Sequence, residues 1–277
     1  VICFPNAKIN IGLRILEKRP DGFHNIESIF YPVGWSDALE MVKVEGEGKM
    51  KLHLSGISLP GRRITDNLLT KLYKSLEKKH KLPSLDVWLH KTVPIGAGLG
   101  GGSSDAAHFM KMLNQFCGLN ISEQEMKEHV AMLGSDCVFF IENKPVLATG
   151  RGDVTEPINM DLSSYFISII YPEILISTPF AYSLIKANNS GEPIKNIIVK
   201  KKIGEWEGYV VNDFEKPIIE KFPAIAAIKD TLYKNGAIYA SMSGSGSAVY
   251  GIFDRPIELK EQFPHYKIWS GDLKLPK

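Results

Sequence analysis

The sequence predicts a mixed α/β fold in two subdomains, and three observations carry that expectation. Runs with strand alternation and capped runs with helical periodicity succeed each other along the chain. At 277 residues the chain can bury a sizeable core and is long for one small domain. A turn-rich stretch from Ala148 to Leu162 lies near the middle and reads as a hinge or boundary.

The elements follow in order. Lys8 to Leu16 alternates, with Ile9, Ile11, Leu13 and Ile15 on one side, which predicts a strand. Its opening carries Asn6, Lys8 and Asn10, polar groups that fit either an exposed edge with a solvated lysine or a site. Pro20-Asp21-Gly22 is turn chemistry. Phe23 and His24 follow it, and the ring is open to stacking on a ligand or to inward packing. Residues 37 to 55 hold two alternating runs around Glu45-Gly46-Glu47-Gly48 and predict a β-hairpin. Leu68, Leu69, Leu72, Tyr73 and Leu76 predict a helix with Thr65 or Asp66 as N-cap.

Residues 85 to 93 predict a strand that delivers the chain into PIGAGLGGGSSDAA, Pro94 to Ala107, after which a helix is expected from Ser104 to Gly118. Ser122 and Glu125 form a capping-box pattern for the next helix, which ends near Gly134. Ser135 and Asp136 then precede an apolar run, CVFFI, that reads as a strand. The Asp136 carboxylate fits either local backbone bonding or chemistry. In the second half the sequence predicts a strand at Tyr165–Tyr171 and a short helix after Ser177-Thr178-Pro179. It predicts a loop over residues 187 to 208 and a helix from Pro223 to Lys234. Two strands then flank Ser243 to Ser247.

Composition narrows the class. Apolar residues make up 44% and charged residues 23%, ordinary for a soluble globular chain. The formal charge is +2 with the basic residues dispersed, which argues against nucleic acid as the main partner. Cys3, Cys117 and Cys137 show no disulfide or metal spacing and fit free thiols in a reducing, cytoplasmic setting. No apolar run is long enough to span a bilayer, so no membrane role is expected.

The glycine-rich stretch organises the rest. Glycine costs backbone entropy, so such a cluster persists where a side chain would block access to backbone amides. Feeding a helix N-terminus, it is a cradle for an anion, above all phosphate. Gly96, Gly98 and Gly101 satisfy the dinucleotide fingerprint. However, a second helix follows where a second strand and its acidic residue belong, so that reading is rejected. The loop ends Gly102-Ser103-Ser104 without the lysine of a P-loop, and no protein-kinase motif set follows.

The loop resembles the second motif of the GHMP kinases. PNAKINIGL resembles their N-terminal motif, and SMSGSGSAVYGIF their C-terminal glycine loop. RPDGFHNIES and LGSDCVFF are similar to the branch whose acceptor carries a cytidine diphosphate. The resemblance implies a two-domain α/β (α+β) fold. Residues 1–150 would be an ATP domain like the second domain of ribosomal protein S5, and residues 151–277 a C-terminal domain, with the site in the cleft between them. It implies Lys8 and Asp136 as the catalytic pair. It implies an ATP site from Lys91 and from Pro94, Ile95, Gly96, Ala97, Gly98, Leu99, Gly100, Gly101, Gly102, Ser103 and Ser104. It implies acceptor contacts from Asn10, Phe23, His24, Thr178, Tyr182, Gly244 and Gly246, with Phe180 as the rival of Tyr182 for stacking on the base. ATP is then the phosphoryl donor, with Mg2+ beside it. No metal ligand is assigned, although the Ser103 and Ser104 hydroxyls are candidates, and Asp105 is read as a helix N-terminal carboxylate. A GHMP kinase of the homoserine or mevalonate type, and a nucleotide sensor without turnover, are the alternatives.

Overall fold

In the computed structural model, which describes residues 1–46, 48–57 and 63–276, the chain forms two compact units. The first comprises Val1–Ala7, Trp35–Ile95 and Gly100–Asn143, and the second Lys8–Gly34, Gly96–Leu99 and Lys144–Lys277.

The first unit is built on a four-stranded sheet. Its order is Ile2–Cys3, Ala38–Val44, Ser84–Lys91, Met50–Gly56. The central strand Ser84–Lys91 pairs antiparallel with Ala38–Val44 and parallel with Met50–Gly56. The expected hairpin around residues 45–48 is therefore not formed, and Glu47 of that turn lies outside the described residues. Leu85, Val87 and Leu89 are buried and take the central place between the two runs. Parallel pairing needs a long crossover, and the helix Leu68–Leu76 lies on that connection. Leu69, Leu72, Tyr73 and Leu76 form its buried face. Its N-cap is Asn67, whose side chain accepts from the Leu69 N–H. A 3-10 turn over Ile64–Asp66 places the two expected caps, Thr65 and Asp66, before the helix start.

The helix after the glycine loop runs Gly101–Phe116, three residues longer at its start than expected, because Gly100 in the left-handed region turns the chain. Helix Glu123–Ala131 opens on the expected capping box of Ser122 and Glu125. The apolar run after Asp136 is helical, not extended: a 3-10 turn Ser135–Cys137 leads into Phe139–Glu142, closed by left-handed Asn143. A short run buried on all sides carries no period that separates strand from helix.

The second unit holds two four-stranded sheets. One has the order Asn6–Lys18, His24–Ser36, Val146–Thr149, Val154–Pro157, and the turn-rich stretch near the middle is the hairpin joining its last two strands. The other, Tyr239–Met242, Val249–Phe253, Phe166–Tyr171, Lys267–Asp272, is antiparallel throughout. Helix Pro223–Lys234 buries Ile225, Ile228 and Leu232 in a core shared with Val249, Phe253, Leu13 and Ile15. Residues 187–208 are not all loop: Pro193 opens a helix, Ile194–Lys200, that buries Ile194 and Ile197. No helix among the described residues is long and apolar enough to cross a membrane.

Candidate active site

Lys8, Asn10 and the two glycine loops meet in the second unit. Lys8 lies in the strand Asn6–Lys18 and is 3% exposed, so its polar surroundings are a built environment, not an exposed edge. Its ammonium donates to Asn10 Oδ1 and sits 4.5 Å from the centre of the Phe30 ring. Its backbone N–H donates to Leu99 O at 2.9 Å, which ties the first motif to the second. Asn10 is held from three sides. Its amide donates to Ser28 Oγ at 2.8 Å, its N–H to Ser243 Oγ at 3.2 Å, and its carbonyl accepts from Tyr250 Oη at 2.9 Å.

Ser243 joins the third motif to the second by donating to Gly98 O at 2.9 Å. Gly98 has φ +80°, and a Cβ there would stand 1.9 Å from Ser243 O. The glycine is required twice, for its conformation and for the close approach. Ala97 O accepts from Ala248 N–H at 3.2 Å, and a Cβ on Gly244 would stand 3.2 Å from both Asn10 Oδ1 and Gly98 Cα. Gly96 and Gly246 also take positive φ, with Leu175 beside the first and Met242 beside the second. Thr178 Oγ1 reaches Ser245 Oγ at 3.4 Å.

The aromatic group lies in the same unit. His24 stacks on Tyr182, centroids 4.6 Å apart and planes at 18°, and Tyr182 meets Phe214 edge-on. Burial, with Lys18 nearby, lowers the His24 pKa, which favours the neutral ring. Phe23 is 53% exposed on its turn, and the Arg151 guanidinium lies 4.9 Å from its ring centre. Phe180 packs edge-on to Phe222. Of the two rivals it is thus Tyr182 that contacts the residue pair after the turn.

The first unit holds the other expected residues. Gly101, Gly102, Ser103 and Ser104 form the first turn of the helix Gly101–Phe116; the Ser104 N–H already donates to Gly100 O at 2.9 Å, and it is the N–H groups ahead of it, with the dipole, that favour an anion. Pro94, Ile95 and Gly100 lie in the loop before it. Ser103 hydrogen-bonds the Cys137 thiol, so the helix start packs on the turn carrying Asp136. Ser104 is buried with its Oγ 3.3 Å from His108 Nδ1. Among the described residues no group of three or more His, Cys, Asp or Glu side chains could hold a metal ion.

Lys91 and Asp105 were not legible as a pair, yet they form a buried triad with Asp37. The Lys91 ammonium donates to Asp37 Oδ2, and to Asp105 Oδ2 at 2.6 Å. Asp37 Oδ1 accepts from the Thr92 and Val93 N–H groups at 2.6 and 2.9 Å. Asp105 therefore serves Lys91 and lies beyond the helix's first turn, which corrects its reading as an N-terminal carboxylate. Burial pushes the Asp105 carboxyl up to about 7 against the pull of Lys91, and the Asp37 charge adds to the rise. Burial alone would lower the Lys91 pKa, but the charges of Asp105 and Asp37 raise it.

Comparison with known proteins agrees with this arrangement. The GHMP kinases N terminal domain matches residues 67–143, and the GHMP kinases C terminal domain matches residues 198–266. The chain is 44% identical over 275 residues to a 4-diphosphocytidyl-2-C-methyl-D-erythritol kinase of Parabacteroides distasonis, covering 99% of this chain and 100% of that protein. It is 47% identical to the protein of that name from Bacteroides thetaiotaomicron, with 92% of each chain covered. A crystal structure of 4-(cytidine 5'-diphospho)-2C-methyl-D-erythritol kinase superposes with a TM-score of 0.81 at 26% identity, over 98% of both chains. The chain belongs to the GHMP kinases, in the family of the 4-diphosphocytidyl-2-C-methyl-D-erythritol kinases.

Proposed function

We propose that this protein transfers the γ-phosphoryl group of ATP to the 2-hydroxyl of 4-diphosphocytidyl-2-C-methyl-D-erythritol, giving the 2-phosphate and ADP. This is a step of non-mevalonate isoprenoid precursor synthesis, and the free thiols fit a reducing, cytoplasmic location. Family membership supports the reaction. The observation that carries its residue-level reading is the junction of Lys8, Asn10, Gly98 and Ser243, which joins all three motifs through named hydrogen bonds.

Phosphoryl transfer is mostly positioning and charge stabilisation. In this reading Asp136 accepts the proton of the 2-hydroxyl while that oxygen bonds to the γ-phosphorus. The bond from phosphorus to the β–γ bridging oxygen breaks, and ADP leaves with its electron pair. Lys8, held by Asn10 and Phe30, supplies positive charge to the transferring group. Residues 94–104 line the ATP phosphates, with backbone N–H groups between Ile95 and Ser103 as the donors. Mg2+ bound together with ATP would offset the negative charge of the phosphates. Among the described residues no group of three or more His, Cys, Asp or Glu side chains could hold a metal ion, which fits a Mg2+ that beside phosphates takes few protein ligands, and Ser103 would offer it a hydroxyl from the helix's first turn. Phe23 and Tyr182 stack on the cytosine, with His24 beside them; Asn10, Thr178, Gly244 and Gly246 serve the rest of the acceptor.

Asp136→Asn tests the base. Its turnover falls by about 10²- to 10⁴-fold while the KM for ATP stays near that of the parent. Turnover close to the parent would remove Asp136 from the role. CMP competes with the acceptor and not with ATP; failure to compete would remove the cytidine assignment.

A further inference from the structure

Four residues outside every motif, Asn212-Asp213-Phe214-Glu215, hold the backbone of two motif-bearing elements at once. The Asn212 side chain is buried, and its amide nitrogen donates to Met242 O at 2.7 Å and to Gly244 O at 2.9 Å. Its Oδ1 accepts from the Phe214 N–H at 3.0 Å. All three polar bonds of this side chain end on backbone. Glu215 accepts from the Met242 N–H at 2.9 Å and from Ser241 Oγ at 3.0 Å, and it pairs with Lys229. Asp213 Oδ2 accepts from the Ile15 N–H at 2.7 Å, and the Leu13 N–H and C=O bond the backbone of Val211 and Asp213. One short segment therefore grips the first-motif strand through Leu13 and Ile15, and the start of the third-motif loop through Met242 and Gly244.

The loop so held has little freedom to be elsewhere. Ser243, between the two carbonyls that Asn212 binds, accepts from Asn10 N–H and donates to Gly98 O. Gly244 lies against Asn10 and Gly98. Asn10 in turn accepts from the Lys8 ammonium. We infer that Asn212 is a positioning residue for phosphoryl transfer: by fixing the Met242 and Gly244 carbonyls it sets Ser243, and through Ser243 the Gly98 turn and the Asn10–Lys8 pair. The inference rests on the reading of Lys8 and the glycine loop as reaction machinery given above.

Asn212→Ala and Asn212→Asp remove the two donated bonds, and the aspartate keeps the shape and the acceptor for Phe214. Tyr233→Phe is the control. The Tyr233 hydroxyl bonds the backbone of Ala240 on the same strand, away from the loop. The Asn212 variants lose on the order of 10- to 100-fold in kcat/KM for ATP, while their Kd for CMP stays within about twofold of the parent, since Phe23 and Tyr182 are held by other contacts. The control changes neither. If CMP affinity falls in parallel with kcat/KM, or if Tyr233→Phe loses as much, the role is merely structural and the inference is overturned. Should the alanine variant not fold, the aspartate variant decides, and unaltered ATP kinetics in it overturn the proposal. Asp136→Asn, measured beside them, separates the two claims. An inactive Asp136→Asn with normal Asn212 variants sinks only the inference, whereas a fully active Asp136→Asn sinks the underlying reading.

Discussion

Replacing Lys91 by methionine leaves two buried carboxylates facing each other without their cation. Asp37 keeps two backbone donors on Oδ1, at 2.6 and 2.9 Å, so its charge retains some support. Asp105 loses its Lys91 bond, and its Oδ1 is buried without a hydrogen-bond partner. Breaking a buried ion pair from one side costs about 3–5 kcal/mol, a large part of a total of roughly 5–15 kcal/mol. At about 2–4 °C per kcal/mol for a chain of this size, Lys91→Met lowers Tm by roughly 6–20 °C. The loss depends on pH. Asp105 relieves the repulsion by taking up a proton, so the Tm deficit is larger at pH 8 than at pH 6. Differential scanning calorimetry at both pH values, with the added variant Lys91→Met/Asp105→Leu, measures this. The double variant recovers part of the loss because the second buried charge is gone. A deficit below about 2 °C at pH 8, or a double variant no better than the single, would refute the triad as the source of stability.

Four further outcomes follow from the same geometry. Asp105 has a folded pKa of about 7 against an ordinary value of 3.8. The folded state thus holds a proton that the unfolded state releases, and this contribution to stability is full below pH 3.8 and lost as pH rises to about 7; Asp105→Asn removes that part of the slope in the pH dependence of Tm. Gly98→Ala places a Cβ 1.9 Å from Ser243 O at φ +80°, and kcat/KM for ATP falls on the order of 10²-fold; steady-state kinetics check it. Phe23→Ala barely changes Tm because the ring is exposed, but raises acceptor KM roughly 5- to 150-fold, as expected for one base–aromatic stack of about 1–3 kcal/mol. Ser122→Ala breaks the capping box and lowers stability by about 1 kcal/mol in urea titration, with activity unchanged.

What was legible in the sequence was local. Ser122 and Glu125 cap a helix through bonds spanning three residues, and the glycines at 96, 98 and 100 announce backbone that only glycine adopts readily. The hairpin expected around residues 45–48 failed because strand pairing is decided by burial far along the chain, where Leu85, Val87 and Leu89 supply a better central strand. From the residues alone Lys8 fitted either an exposed edge or a site, and only the family resemblance implied a catalytic role, because its surroundings, Phe30, Asn10 and Leu99, assemble only on folding. Lys91 finds its carboxylates 54 and 14 positions away. Asn212 was invisible for a further reason: its partners are backbone carbonyls 30 and 32 residues on, and a carbonyl leaves no mark in sequence.

The proposed acceptor is the cytidine compound. ADP release from Mg-ATP, measured with 4-diphosphocytidyl-2-C-methyl-D-erythritol, homoserine and mevalonate in turn, tests it most directly. Turnover is expected with the cytidine compound alone, with the new phosphate on its 2-hydroxyl. Turnover with homoserine or mevalonate and none with the cytidine compound would contradict it, leaving the glycine loop in place and removing Phe23, His24 and Tyr182 from the acceptor site.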